Sequence, residues 1–336
     1  MGNAAGVVRP VMAIMGVAGI AGSVLAARGF TLRSSRIRFA IGFGGCALAA
    51  AGSLFAQTMT AFGVVALLTG LGTGVITVTL AGVLRPATRG RRFGMVIGLG
   101  TGLAYGIGNL PGIFDAKPAL QAGLAILAAV AGGITAAMLR PQFSADPPET
   151  GDYSKAGVVS WVVVFLALVC FDSALFAFIQ GTVELKQMLW VENGRPWLIA
   201  GAHLVAAVSA GGLLDCGWLG RTIASAAVAL IGAGLWLLDR RAGASIAGLV
   251  YVASVSLYST GLAFYPAHSA RPKLAALLYA IAGWGGSALG IVLAEGRSGL
   301  PTALTVGCAS LLAIGLAARY FASRQERAMK ENHGAK

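Results

Sequence analysis

The stretch LTGLGTGVITVTLAGVLRPATRGRRFGMVIGLGTGLAYGIGNLP, residues 68–111, holds two apolar, glycine-spaced runs on either side of a short basic turn. The first run predicts a helix ending near Leu84. The turn carries Arg85, Arg89, Arg91 and Arg92, and the second run starts at once. Gly70, Gly72 and Gly74, then Gly98, Gly100, Gly102, Gly106 and Gly108, let helix backbones approach closely where burial of apolar surface gives no driving force. Soluble helices avoid this pattern, because each glycine costs about 1 kcal/mol relative to alanine. The stretch therefore predicts two closely packed membrane helices joined by a cytoplasmic basic turn.

Composition agrees. Hydrophobic residues make up 57% of the 336 residues and charged residues 11%, well below the roughly 25% of soluble domains. The mean hydropathy is +0.79. A net charge of +13 would fit nucleic acid only if the basic residues shared one water-exposed face. They lie instead in short loops between apolar runs, so the expected surroundings are a lipid bilayer, with no nucleic acid partner. Cys46, Cys170, Cys216 and Cys308 stand singly, without the spacing of a disulfide framework or a zinc site. A haem held by two histidines would need His203 and His268, which the topology puts near opposite membrane faces, so neither cofactor nor metal is expected. Phosphate-cradling, HExxH and nucleophile-elbow motifs do not occur, and no enzyme activity is expected.

Uncharged runs long enough to cross a bilayer, about 20 residues each, fall at 10–27, 36–56, 62–84, 93–114, 118–139, 157–180, 197–219, 222–238, 244–265, 274–294 and 301–322, eleven spans in all. Alternate loops and the C-terminal tail collect eighteen of the 25 Lys and Arg residues. That side is expected to be cytoplasmic, with the N-terminus outside and the chain in the plasma (inner) membrane. The polar, proline-rich segment 140–156 reads as a linker. It divides the chain into a bundle of five spans (1–139), a bundle of six (157–322) and a polar cytoplasmic tail (323–336).

The two parts repeat an order. The turn at 85–92 has its partner in HSARPK, 268–273; each leads into a glycine-rich span, a short outer loop and a final span ending in a basic residue. With the glycine-rich pair of spans and the RPATRGRR turn, this resembles the major facilitator superfamily of secondary transporters, whose halves are parallel repeats. The resemblance implies an all-α, two-bundle membrane fold with a central substrate cavity. It also implies that the counterpart of the first helix is absent, because 157–180 has no partner in the first part; either the start is mis-called or truncated, or the chain is a genuine eleven-span variant. The family's loop signature is matched in part by Gly211, Asp215, Gly220 and Arg221, which the resemblance marks as a cytoplasmic gate. In the first half Gly22 and Arg28 are present, but Ala26 stands where the aspartate belongs.

Asp172 is the one acidic residue deep within a span, which makes it a functional candidate. It lies roughly 12 Å from the outer end of its helix, and His203 lies roughly 9 Å in on the next, at 1.5 Å per residue. Similar depth suggests that they pair. Gln180 follows on the same helix, Tyr105 and Asn109 share a face, and so do Tyr251, Ser254 and Tyr258. These are the candidates for a substrate or proton pathway. Trp161, Trp190 and Trp197 are expected to anchor helix ends at the interface. The expected function is transport of a small solute, its identity unread. The alternative is a non-transporting scaffold or assembly factor for a membrane complex, perhaps a redox one, whose other subunits would be the partners.

Overall fold

The computed structural model describes residues 4–88, 92–114, 116–139, 155–191, 195–239, 243–294 and 300–334. The regular structure among them is helical. In chain order the helices are α1 (Ala4–Ala27), α2 (Ser35–Ser53), α3 (Met59–Ala87), α4 (Phe93–Gly108), α5 (Pro118–Met138), α6 (Lys155–Gly181), α7 (Val183–Lys186), α8 (Arg195–Asp215), α9 (Leu219–Asp239), α10 (Ala244–His268), α11 (Pro272–Leu278), α12 (Gly286–Ala294) and α13 (Thr302–Gly334). A π turn, Gln187–Val191, follows α7, and a second, Tyr279–Gly285, joins α11 to α12 into one span.

Local chemistry sets several of the helix ends. Thr58 is extended, and its hydroxyl accepts the Ala61 N–H at the start of α3. Pro118 and Pro272 open α5 and α11, where a missing N–H costs nothing. The α1–α2 turn is tied by Arg38, whose guanidinium donates to the carbonyls of Ala26, Arg28 and Gly29 and so satisfies the end of α1.

Among the described residues nine helices are long and apolar enough to cross a membrane. Of the eleven expected spans, α2 is diluted by Arg36, Arg38 and its glycines. α4 has 16 residues, about 24 Å, and the chain turns at once after it. Two boundaries also move. α3 runs past Leu84 to Ala87, since Pro86 sits in its last turn and removes only one backbone bond. Residues 323–334, expected as a polar tail, continue α13 to Gly334. The expected linker lies outside the described residues up to 154, and α6 begins at Lys155.

The helices pack as two bundles with a recurring set of neighbours. In the first, α3 packs on α1 and α2, and α2 on α5; in the second, α10 packs on α8 and α9, and α13 meets α9. Between the bundles α4 lies along α8, and α1 along the Tyr279–Gly285 turn, which exchanges the same two roles. The chain is an integral, multi-pass membrane protein. α6 is the most enclosed span, 61% buried against 17% for α5, and it fills the angle between α12 and α13. Phe165, Leu168, Phe171 and Leu175 form the centre of its packing. No described helix of the first bundle takes the corresponding place between α4 and α5.

One glycine shows how closely α6 is held. A Cβ placed on Gly290 of α12 would lie 2.2 Å from the carbonyl oxygen of Cys170. Gly290→Val is expected to separate the two helices and lower stability by about 1–3 kcal/mol, as overpacking does. Thermal unfolding in detergent checks this; an unchanged melting temperature would contradict the packing.

Candidate functional site

α10 organises the site because it offers polar side chains to three neighbours at once. Tyr251 and Tyr258 stand seven residues apart, two turns along one face. Their hydroxyls converge on Asp172 of α6: Tyr251 donates to Oδ1 at 2.7 Å and Tyr258 to Oδ2 at 2.5 Å. Ser256 shares a 2.8 Å hydrogen bond with Nδ1 of His203 on α8. Ser259 shares one of 3.0 Å with the Tyr105 hydroxyl on α4. Tyr105 and His203 then stack, ring centroids 4.7 Å apart and planes 9° from parallel.

Of these, Tyr105, Asp172, His203 and Tyr251 border a cavity of about 460 Å³ between the bundles. Met12, Ala104, Tyr105, Gly108, Asn109 and Phe114 come from the first bundle and its loop. Asp172, Ser173, Phe176, Trp190, His203, Tyr251, Val252, Val255, Ser287 and Ile291 come from the second. The cavity reaches the end of the molecule that carries the turns after α4 and α6. There Phe114 stacks on Trp190 at 6.1 Å, and Phe176 meets Trp190 edge-on at 6.0 Å. Asp172 is half-buried; Tyr251, Tyr258 and His203 are buried.

At the opposite end the bundles are closed on each other where α4 meets α8, with a groove of about 670 Å³ lined by Phe30 and Pro272 at the same end. α4 begins after Arg92, which makes no capping bond, so its first N–H groups need an acceptor. Asp215, at the end of α8 in the other bundle, provides it: its carboxylate accepts Gly94 N–H at 2.6 Å and Met95 N–H at 3.0 Å. A carboxylate against a helix N-terminus is stabilised by both the bonds and the helix dipole. The helices touch backbone to backbone here, and a Cβ on Gly211 would lie 2.4 Å from the Gly94 carbonyl oxygen. Arg85 of α3 donates to the carbonyl oxygen of His268, at the end of α10. Around these bonds Ala26, Val78, Ala81, Phe93, Leu214, Phe264 and Ala275, drawn from both bundles, make one buried apolar cluster.

The expected residues fall out as follows. Tyr105, Asn109, Asp172 and His203 line the cavity, and Tyr258 bonds to Asp172 behind the lining. Asn109 spends its side-chain N–H on the Tyr105 carbonyl. Gln180, at the end of α6, is not part of the lining. The pairing of Asp172 with His203 is corrected: each bonds to α10 instead, because α8 packs on α4 and α10. Of the gate residues, Gly211 and Asp215 meet α4, whereas Gly220 has open space where a side chain would stand and Arg221 lies over the Trp218 ring at 5.1 Å. Trp190 lines the cavity and Trp161 is buried against Phe165 and Tyr265, so neither is an interface anchor; Trp197 is exposed at the start of α8. Met12, Phe114, Phe176, Ser173 and Ser287 carried no sequence signal, being ordinary residues of apolar segments.

No protein-family model matches the chain, and no curated protein sequence does. Solved structures do resemble it. The human organic anion transporter MFSD10 (TETRAN) aligns with a TM-score of 0.62 and 15% identity over 94% of this chain and 82% of its own. FucP, a major facilitator transporter in the outward conformation, gives 0.58 and 16% over 95% and 90%. A bacterial homologue of the iron transporter ferroportin in an outward-facing state gives 0.55 and 13% over 98% and 92%. At these identities the likeness carries the fold, and the chain has the fold of the major facilitator transporters.

Proposed function

We propose that the chain is a secondary transporter that moves a small solute by exposing the Asp172 cavity to one membrane face at a time. The observation that carries this reading is the asymmetry of the space between the bundles. Side chains of both bundles line a cavity reaching one end, while Asp215, Arg85 and an apolar cluster tie the bundles together at the other. Rocking the bundles, 1–139 against 157–322, would break the second set of contacts and close the first space. The bias of basic residues puts the shut end on the cytoplasmic side and the N-terminus outside. This is an outward-facing state, the one in which FucP and the ferroportin homologue are described. A scaffold would have no need of a cavity with a half-buried carboxylate on its wall.

The cargo does not follow from the fold, since the neighbours include an organic anion transporter and a homologue of an iron transporter. An organic anion would meet the Asp172 carboxylate in this cavity.

A cysteine at position 173, in protein freed of Cys46, Cys170, Cys216 and Cys308, tests the mechanism without knowledge of the cargo. It is expected to react with a membrane-impermeant maleimide in both right-side-out and inverted vesicles, from either face. Reaction from one face only, under all conditions, would overturn alternating exposure.

A further inference from the structure

We propose that the cavity takes a small organic monocation, an ammonium group on a compact apolar frame, with Asp172 as its counter-charge. The proposal rests on the cavity being a cargo site, and it fixes the sign and character of what enters.

Charge comes first. Among the described residues lining the cavity Asp172 is the only acid, and there is no lysine or arginine. Among the described lining residues the one basic side chain, His203, is held by Ser256 and by stacking on Tyr105. The hydroxyls of Tyr251 and Tyr258 stand within hydrogen-bond distance of separate oxygens of Asp172, so each oxygen has one tyrosine partner. Neutral donors spread the charge of an ionised Asp172 but do not cancel it, and a cation in the cavity would. Each oxygen still has acceptor capacity beyond its one tyrosine bond. The half-buried side chain reaches the cavity.

The walls favour a particular kind of cation. Tyr105, Phe114, Phe176, Trp190 and Tyr251 supply ring faces and edges around the space, and ring faces attract ammonium groups. Met12, Val252, Val255 and Ile291 supply apolar surface for a hydrocarbon frame. A volume of about 460 Å³ suits a small molecule. A transition-metal cargo is poorly served, because no three His, Cys, Asp or Glu side chains come together among the described residues.

Equilibrium binding to the purified full-length protein, with three probes of one frame, separates the alternatives. 2-Phenylethylammonium is expected to bind, with 2-phenylethanol and 3-phenylpropionate weaker by about tenfold or more, the scale of one charge-assisted contact. Asp172→Asn is expected to remove the preference for the ammonium over the alcohol, and circular dichroism and a cooperative melt check that the variant is folded. Asp172→Glu is expected to retain the preference. Equal or tighter binding of the propionate, an ammonium preference that survives Asp172→Asn, or no saturable binding of 2-phenylethylammonium, benzyltrimethylammonium or tetraethylammonium would each overturn the proposal. Labelling at position 173 needs no ligand, so the two readings fail separately. Exposure to both faces without ammonium binding removes the cation and keeps the transporter; Asp172-dependent binding with one-sided exposure keeps the cation and removes the transporter.

Discussion

Gly211→Leu is expected to force open the end of the protein that is shut in this structure. A Cβ alone would stand 2.4 Å from the Gly94 carbonyl oxygen, and leucine adds three carbons beyond it. α4 and α8 must then separate by more than a rotamer change absorbs. Separation also pulls Asp215 from the Gly94 and Met95 N–H groups, bonds of 2.6 and 3.0 Å. Steric overpacking costs about 1–3 kcal/mol, and losing the carboxylate at a helix start adds about 1–2 kcal/mol. Together, at about 2–5 kcal/mol, they shift the balance between closed and open ends by about thirtyfold to a few thousandfold, at tenfold per 1.4 kcal/mol. A cysteine at Val78, fully buried in the cluster that both bundles share, serves as the reporter. It should be inert to impermeant maleimide in the parent and reactive in the Gly211→Leu protein, from the face bearing Arg85. Continued protection of position 78 in a folded Gly211→Leu protein would show that this contact does not hold the end shut.

The second large effect is expected at Asp172. Removing both hydroxyls, Tyr251→Phe with Tyr258→Phe, strips the carboxylate of its two donors, each hydrogen bond to a charged group being worth about 1.5–3 kcal/mol. Stability should fall by about 3 kcal/mol or more, with a melting temperature several degrees lower. Adding Asp172→Ala to the pair should recover part of that loss, because the stranded charge goes with it. Differential scanning calorimetry of the double and triple variants decides the point. A double variant as stable as the parent would mean that the tyrosines do not support the carboxylate.

Much of the architecture is written in local chemistry. Glycine-spaced spans around the RPATRGRR turn and the alternating basic loops point to the bundle, since both depend on residues near one another in sequence. Asp172 is visible for the same reason: a lone acid in a long apolar run needs no partner to be noticed. Its partners were not legible. Depth along a helix can be counted, but the direction in which a side chain leaves the axis depends on which helix packs where. α8 follows α6 in the chain yet packs on α4 and α10, so His203 bonds to Ser256 and the tyrosines of α10 take Asp172. Trp190 misled because it sits near a helix end, where interface anchors are common, while the π turn there carries it into the cavity wall. At the shut end the resemblance marked Gly211, Asp215, Gly220 and Arg221 together; Asp215 accepts the first N–H groups of α4, whereas Arg221 turns to Trp218, a difference that depends on which helix each residue faces.

Alternating exposure is tested most directly by locking the shut end and watching the cavity. Met95 and Gly212 face each other across α4 and α8, the methionine sulfur 3.6 Å from where a Gly212 Cβ would stand. Cysteines at these two positions, joined by a short reducible thiol crosslinker in protein that lacks the four native cysteines, hold the bundles together there. A third cysteine at position 173, masked during crosslinking and then freed, reports access to the cavity. With the link intact, position 173 should label only from the face bearing Asn109 and Phe114; after cleavage of the link it should label from both. Labelling from both faces while the link is in place, or from one face only after it is cleaved, would contradict a cavity that opens to each side in turn.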